Sequence, residues 1–361
     1  EVSDATLISK CFIGQGCHLG KHYSAENSLF FANCQGFHGE ACSIFAGPYT
    51  VSHHKSTLLI AGYYSFLNAG SGSNQSNHMY KLGPVHQGII ERGSKTTSDS
   101  YMLWPAKIGP FSLVMGRHYR NPDTSAFPFS YIIENKDESY LAPGVNLRSI
   151  GTIRDARKWP NRDRRKDLKK LDFITFNLLS PYSVEKMIRG KKTLQKLREI
   201  SGETSEHFMH NNVKIEAKSL ERGIQMYQIG ITKFLGNGLL KMLESLDFSD
   251  INELRQKIRP HSEEGTGEWI DMAGLIVPKQ KVLDLVDQIE KSHINTFDEL
   301  NQVFEDWHLQ YYQWVWNWSA RMFQSELNRD LRQIDEPTLR NFVEEWKKAG
   351  VSLEERMFND A

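Results

Sequence analysis

The stretch LISKCFIGQGCHLG, residues 7–20, decides the fold. Leu7, Ile13 and Leu19 stand six apart, Gly14 and Gly20 follow two of them, and Cys11 and Cys17 take a small position four residues after Leu7 and Ile13. A period of six is neither the alternation of a half-buried strand nor the 3.6-residue period of an amphipathic helix. It suits a triangular solenoid, with one short strand and one tight corner per step and three steps per coil. The apolar leader and the small residue point inward, and the glycine relieves the backbone at the turn. The expected fold is a single-stranded left-handed parallel β-helix of hexapeptide repeats.

The period returns at Ile108-Gly109 and Val114, at Phe31 and Phe37, and at Leu141, Leu147 and Ile153. It slips across residues 50–100, which predicts loops pushed out of the coil, and such loops commonly carry function. The segment Ala69 to His78, rich in glycine, serine and asparagine, reads as one of these loops. Glu1 stands almost inside a coil, which points to further chain ahead of it.

Charge divides the chain. Residues 1–150 carry 11 basic and 10 acidic side chains and 15 of the 26 glycines, residues 151–170 carry 9 basic and 3 acidic, and the remainder carries 24 basic and 31 acidic. The expected organisation is a β-helix over 1–155, a basic crossover over 156–175, stopped at Trp159-Pro160, and a helical domain over 176–361 that packs on or caps the solenoid. Pro181 starts a helix that runs to Gly202. Others are predicted over about 220–246 with a bend at Gly236-Asn237-Gly238, after Pro278, from Thr296 with Asp298 and Glu299 in its first turn, and over 336–348. Trp307, Tyr311, Trp314 and Trp318 recur at helical spacing, so they read as helix-to-solenoid packing, with carbohydrate stacking or a subunit contact as the alternative.

The four cysteines, Cys11, Cys17, Cys34 and Cys42, form no CxxC pair, and a disulfide framework does not suit a chain this long. They read as reduced core residues. There is no signal peptide and no apolar run near 18 residues, so a cytoplasmic protein without a membrane partner is expected. Neutral charge and the lack of a nucleic-acid motif argue against a nucleic-acid partner.

Candidate chemistry rests on histidine. His53, His54, His78, His86 and His118 lie in the solenoid part, and imidazole titrates near working pH. Transferases on this solenoid use a loop histidine as general base toward a sugar hydroxyl or amine that attacks a thioester. His78 is the first choice, with His54 and His118 next. Each has a plainer reading as a surface or corner histidine bonded to backbone. Asn74, Asn77, His86 and Arg117 are candidate substrate contacts. So are Arg154 and Arg162 of the basic junction, which with Arg157, Arg164 and Arg165 could clamp a phosphate, a nucleotide or the pyrophosphate of coenzyme A, or could simply be a solvated linker. The spacings of His54, His78, His86 and His118 do not match a three-histidine zinc site of the γ-carbonic-anhydrase type. No metal is assigned. No GxxxxGK[ST] loop, GxSxG elbow or HExxH is present, and nothing matches the glycine-rich loop of sugar nucleotidyltransferases.

Four longer segments, SHHKSTLLIAG (52–62), NAGSGSNQSNHMYKLGPVHQG (68–88), MGRHYRNPDTSAFPFSY (115–131) and LAPGVNLRSIGTIRDARKWPNRDRRKD (141–167), resemble an uncharacterised bacterial family. Its members pair a β-helix with a C-terminal helical region and are sometimes labelled UDP-N-acetylglucosamine pyrophosphorylase-related. The resemblance implies that this chain is the C-terminal part of such a protein. It brings no established catalytic residues.

The function expected is that of a transferase-like protein acting on a sugar or nucleotide sugar, with acyl-CoA as cofactor, assembled as a trimer or dimer. The alternatives are a non-catalytic binding or scaffold module, and a metal-dependent hydratase.

Overall fold

The computed structural model describes residues 1–76, 86–202, 205–243, 250–260 and 262–358. The β-helix with its helical region is the architecture found. Successive short strands visit three sheets in rotation, and each strand pairs in parallel with the third strand before and after it. On the first face Leu7 registers with Ser24, Ser24 with Glu40, Glu40 with Leu58, Leu58 with Asn74, Asn74 with Tyr101, and Tyr101 with Arg117. One coil therefore takes about 17 residues. The coil between Asn74 and Tyr101 is longer by about ten, and the extra residues fall between the strands Asn74–Ser76 and Gly88–Ile90.

Inward columns make the core. The first face stacks Ile8, Ala25, Ala41, Leu59, Gln75, Met102 and His118, the second Ile13, Phe30, Ala46, Tyr64, Ile90 and Ile108, and the third Leu19, Gly36, Ser52, Ala69, Thr96, Val114 and Ile132. The opening hexapeptide frame is thus right at Ile13 and Leu19 but one residue off at its start. Leu7 is 72% exposed and Ile8 holds the inward place. Gly14 and Gly20 are not the corner residues either. The left-handed backbone conformation falls at Gly16 and at Lys21-His22.

Three further expectations change. Residues 51–76 are not extruded, because strands Val51–Ser52, Leu58–Ile60, Gly62–Tyr64, Asn68–Ala69 and Asn74–Ser76 continue the coils. Serine and asparagine are tolerated there because each residue pairs with the coils on both sides, so backbone hydrogen bonding outweighs low strand propensity. Second, the coils end near Asn135. Leu141 lies in Glu138–Ala142, which turns back antiparallel onto Tyr131–Asn135, Leu147 lies in a 3-10 turn, and Ile153 lies in α1, Ile150–Lys158. Third, the helical region is not wholly helical. Its hairpin His207–His210 and Val213–Glu216 extends the third sheet past Glu138–Ala142 and covers the edge of the last coil. A second hairpin, Trp269–Met272 and Leu275–Pro278, runs beside the second face, where the Tyr63 hydroxyl donates to the Asp271 carbonyl over 3.5 Å.

The remaining helices are α2 (Pro181–Ser201), α3 (Ala217–Leu243), α4 (Ile251–Ile258), α5 (Lys279–Glu290), α6 (Phe297–Leu327) and α7 (Glu336–Phe358). Ser180 caps α2 just before Pro181, and Thr296 caps α6 in a reciprocal box with Glu299. Helix α3 runs unbroken through Gly236-Asn237-Gly238. Trp307, Tyr311, Trp314 and Trp318 are buried, with Tyr311 edge-on to Trp269 and Trp318 edge-on to Phe234, so they pack within the helical region itself. All four cysteines are free thiols, and Cys17 and Cys34 are buried. No described helix is long and apolar enough to cross a membrane.

Candidate functional site: a basic cleft on the third face

The site begins at the corner between the second and third faces. Gly16, Asn33, Tyr49, Phe66, Gly93, Phe111 and Phe129 form a column there, all with left-handed backbone. Tyr49 stacks on Phe66 with centroids 5.4 Å apart, and Phe111 on Phe129 at 4.7 Å. Gly93 interrupts the ladder between these pairs. Its φ of 72° and the Phe111 ring against it leave no room for a side chain. Trp159 enters at this gap, with its ring centroid 4.7 Å from that of Phe66 and 6.5 Å from that of Phe111. A rung supplied from far along the chain therefore completes the ladder and pins the end of α1 to the solenoid.

Beyond Trp159 the basic junction is a strap tied to earlier coils. The Arg164 backbone N–H donates to the Asn33 side-chain carbonyl at 2.8 Å, and the Asn33 amide donates to Asp163 at 3.1 Å. Arg165 grips the Asp163 carboxylate with two bonds of 2.9 Å, and Lys170 adds a third contact at 3.0 Å. Burial alone would raise the Asp163 pKa, but these donors outweigh it and hold the carboxyl far below the usual range. The Ala32 N–H donates to Asp172 at 2.8 Å, and Gln15 bonds the backbone of Lys169 and Leu171.

Between α1, the strap and the third face lies a cleft of about 520 Å³. Its floor is Tyr49, Phe66 and Leu67. Among the described residues, five basic side chains, Lys95, Arg154, Lys158, Arg162 and Arg164, line it with a single carboxylate, Asp155. Asp155 accepts from Lys95 at 2.5 Å and from Arg154 at 3.3 Å. Desolvation would raise its pKa, yet the two cations hold it below normal, so it stays charged. Lys158, Arg162 and Arg164 have no carboxylate partner among the described residues.

His53 is the one histidine among the described residues of the lining. Its ring stacks on Phe37 of the preceding coil at 5.2 Å, and its Nε2 lies 2.7 Å from Gln35 Oε1. An amide oxygen only accepts, so Nε2 carries the proton and Nδ1 keeps its lone pair. Desolvation first, then His54, Arg164 and Arg162, pull the His53 pKa below the ordinary histidine value. At neutral pH the ring is therefore neutral, as a proton acceptor must be.

Of the residues singled out from sequence, Arg154 and Arg162 meet in this cleft. His54 is exposed on the adjoining turn and outside the lining. Asn77 and His78 lie outside the described residues. Asn74 is half-buried on the first face, His86 lies just ahead of the second-face strand Gly88–Ile90, and Arg117 is exposed on the first face of the last coil. His118 closes the first-face column, fully buried, with Nδ1 2.8 Å from Ser139 Oγ and Nε2 3.1 Å from the Met115 carbonyl. It thus faces no cleft. Among the described residues no three His, Cys, Asp or Glu side chains stand together as metal ligands. Sequence reading has His53 among five histidines without choosing it and Arg164 in the basic junction, and it misses Gln35 and Lys95. A coil length of about 17 singles out His53 and Gln35, since it puts His53 directly over Phe37 and next to Gln35.

Fold and cleft together define a parallel β-solenoid protein whose third face carries a strapped, strongly basic cleft. Residues 1–198 match the family described as a domain of unknown function, DUF4954, and the chain belongs to that family. Residues 250–361 match a second domain of unknown function, DUF6819. No curated protein matches the chain. Among solved structures, the Arabidopsis UDP-N-acetylglucosamine acyltransferase is similar, at 12% identity and a TM-score of 0.24 over 56% of this chain and 81% of that one. A likeness at that score carries no argument about this chain's chemistry.

Proposed function

We propose that the third-face cleft binds a phosphate-bearing sugar, a nucleotide sugar in the first instance, and that the protein is a transferase acting on it with His53 as general base. The observation that carries this is a neutral histidine set among five basic side chains and one carboxylate. Guanidinium forks suit phosphate oxygens, and a pyrophosphate would lie along Arg154, Arg162 and Arg164. The Tyr49 and Phe66 rings would floor the apolar part of the ligand. With an acyl-CoA as donor, His53 Nδ1 takes the proton of a sugar hydroxyl or amine. That oxygen or nitrogen forms the bond to the thioester carbonyl carbon, the carbon–sulfur bond breaks, and the proton passes to the departing thiolate. A cytoplasmic homo-oligomer is the setting proposed, in keeping with four free thiols.

The test is calorimetric titration of the chain with nucleotide sugars and acyl-CoAs, followed by turnover. Arg162→Ala with Arg164→Ala should weaken nucleotide-sugar binding at least tenfold. His53→Gln should leave binding intact and cut turnover by about 10²–10⁴-fold. Nucleotide-sugar affinity unaffected by the double arginine change would sink the cleft as the site. His78→Ala belongs in the same series: loss of turnover there, with His53→Gln still active, moves the base to His78. The lone histidine also suits a module that only holds its ligand, and binding with no turnover for any donor would select that reading.

A further inference from the structure

A second cavity of about 520 Å³ lies in the helical region, lined by α3 and α6 and by residues 177–179, with no residue in common with the third-face cleft. Phe234, Met242, Tyr311, Val315 and Trp316 make its walls apolar. Lys241 is the one charged side chain among the described residues that line it, and its ammonium sits 4.6 Å from the Tyr312 ring centroid. Among the described residues no carboxylate lines the cavity to balance that charge.

Gly238 sets this cavity apart from an ordinary packing defect. Glycine inside a helix costs stability relative to alanine. At Gly236 the reason is plain, because a Cβ there would run into the Trp346 ring. At Gly238 a Cβ would meet nothing closer than Trp316 at 3.5 Å, which is ordinary contact. Packing does not require glycine at 238, and the side chain it omits would project beside the Trp316 wall of the cavity. Trp316 itself is 5% exposed, and its indole N–H has no acceptor among the described residues. A buried donor without a partner is costly.

We infer that this cavity binds a small apolar carboxylate, with its ring against Phe234, Val315 and Trp316 and its carboxylate on Lys241. Gly238 keeps the room for it. The site is independent of the third-face cleft and of the transferase reading.

The experiment titrates the full chain with 2-naphthoate and with its uncharged counterpart 2-naphthalenemethanol. The acid should bind at least tenfold more tightly than the alcohol. Gly238→Leu should abolish binding of both, and Lys241→Met should bring the acid down to the alcohol's affinity. Gly238→Ala should raise the melting temperature of the ligand-free protein, since it adds helix propensity without a clash. The proposal is overturned by no measurable naphthoate binding, by equal affinities for acid and alcohol, by undiminished binding in Gly238→Leu, or by a fall in melting temperature in Gly238→Ala.

Discussion

At the scale of single residues, polar groups set into apolar columns decide the most. His118 occupies a place that Ile8, Ala25, Ala41, Leu59 and Met102 fill in other coils. Burial lowers its pKa to about 4, against smaller opposing contributions from the Met115 carbonyl and Glu134. The sign follows from linkage. Below pH 6.5 the unfolded chain binds a proton that the folded chain refuses until about pH 4. Stability is therefore full above pH 6.5 and falls between there and pH 4, by about 3 kcal/mol from this group. Urea unfolding at pH 7 and pH 4.5 should show the drop. His118→Gln should shrink it even though that variant starts less stable, and an unchanged pH dependence would remove His118 as its source.

At the scale of elements, the cleft exists because α1 and the strap are fastened to a ladder that lacks one rung. Gly93 leaves the gap and Trp159 fills it. Trp159→Ala removes a partly exposed aromatic, so it should cost about 2–3 kcal/mol, below the usual figure for a fully buried one. The larger consequence is positional. Arg154, Lys158 and Arg162 lose their common frame, and amide exchange in 150–165 should rise well before the coils open. Exchange that rises evenly through the coils would show that Trp159 supports the whole solenoid rather than this element. Gly93→Ala should be worse than its size suggests, because it strains a left-handed position and displaces Phe111 as well.

At the scale of the whole molecule, the solenoid and the helical region share one interior. Arg92, with a fully buried side chain, lies 4.7 Å from the Phe66 ring centroid, donates to the Thr175 carbonyl at 2.7 Å, and faces Asp271 of the 269–278 hairpin at 3.5 Å. Beside it, Glu91 holds Lys186 and Tyr182 of α2 at 2.9 and 2.5 Å. Removing one partner of a buried pair leaves an uncompensated charge, so Asp271→Ala should destabilise by about 3–5 kcal/mol. Arg92→Leu together with Asp271→Ala should cost less than the sum of the two single changes. Strict additivity in that cycle would mean that the pair does not join the two regions. The third sheet points the same way, since a hairpin from beyond α2 completes its end. A chain ending at residue 178 should therefore fail to fold as a cooperative unit.

What the sequence determined by itself was the repeat. A six-residue period needs no distant partner to be read, because each inward residue serves its own coil, and the same holds for the helix starts at Pro181 and Thr296. Register was less legible. Leu7 and Ile8 are both apolar, and only pairing with Ser24 and Ala25 decides which of them faces in. Residues 69–76 stay in the coil for a similar reason: Asn74 and Gln75 look like loop residues until coils above and below supply their backbone partners. The site was the least legible. His53, Gln35, Lys95 and Arg164 are scattered along the chain, and no local pattern joins them. They meet because coils of about 17 residues stack the first three on one face, and because Trp159 fills a gap that a glycine leaves 66 residues earlier. Period is a property of neighbours in sequence, whereas the cleft is a property of neighbours in space, and only the folded chain decides those.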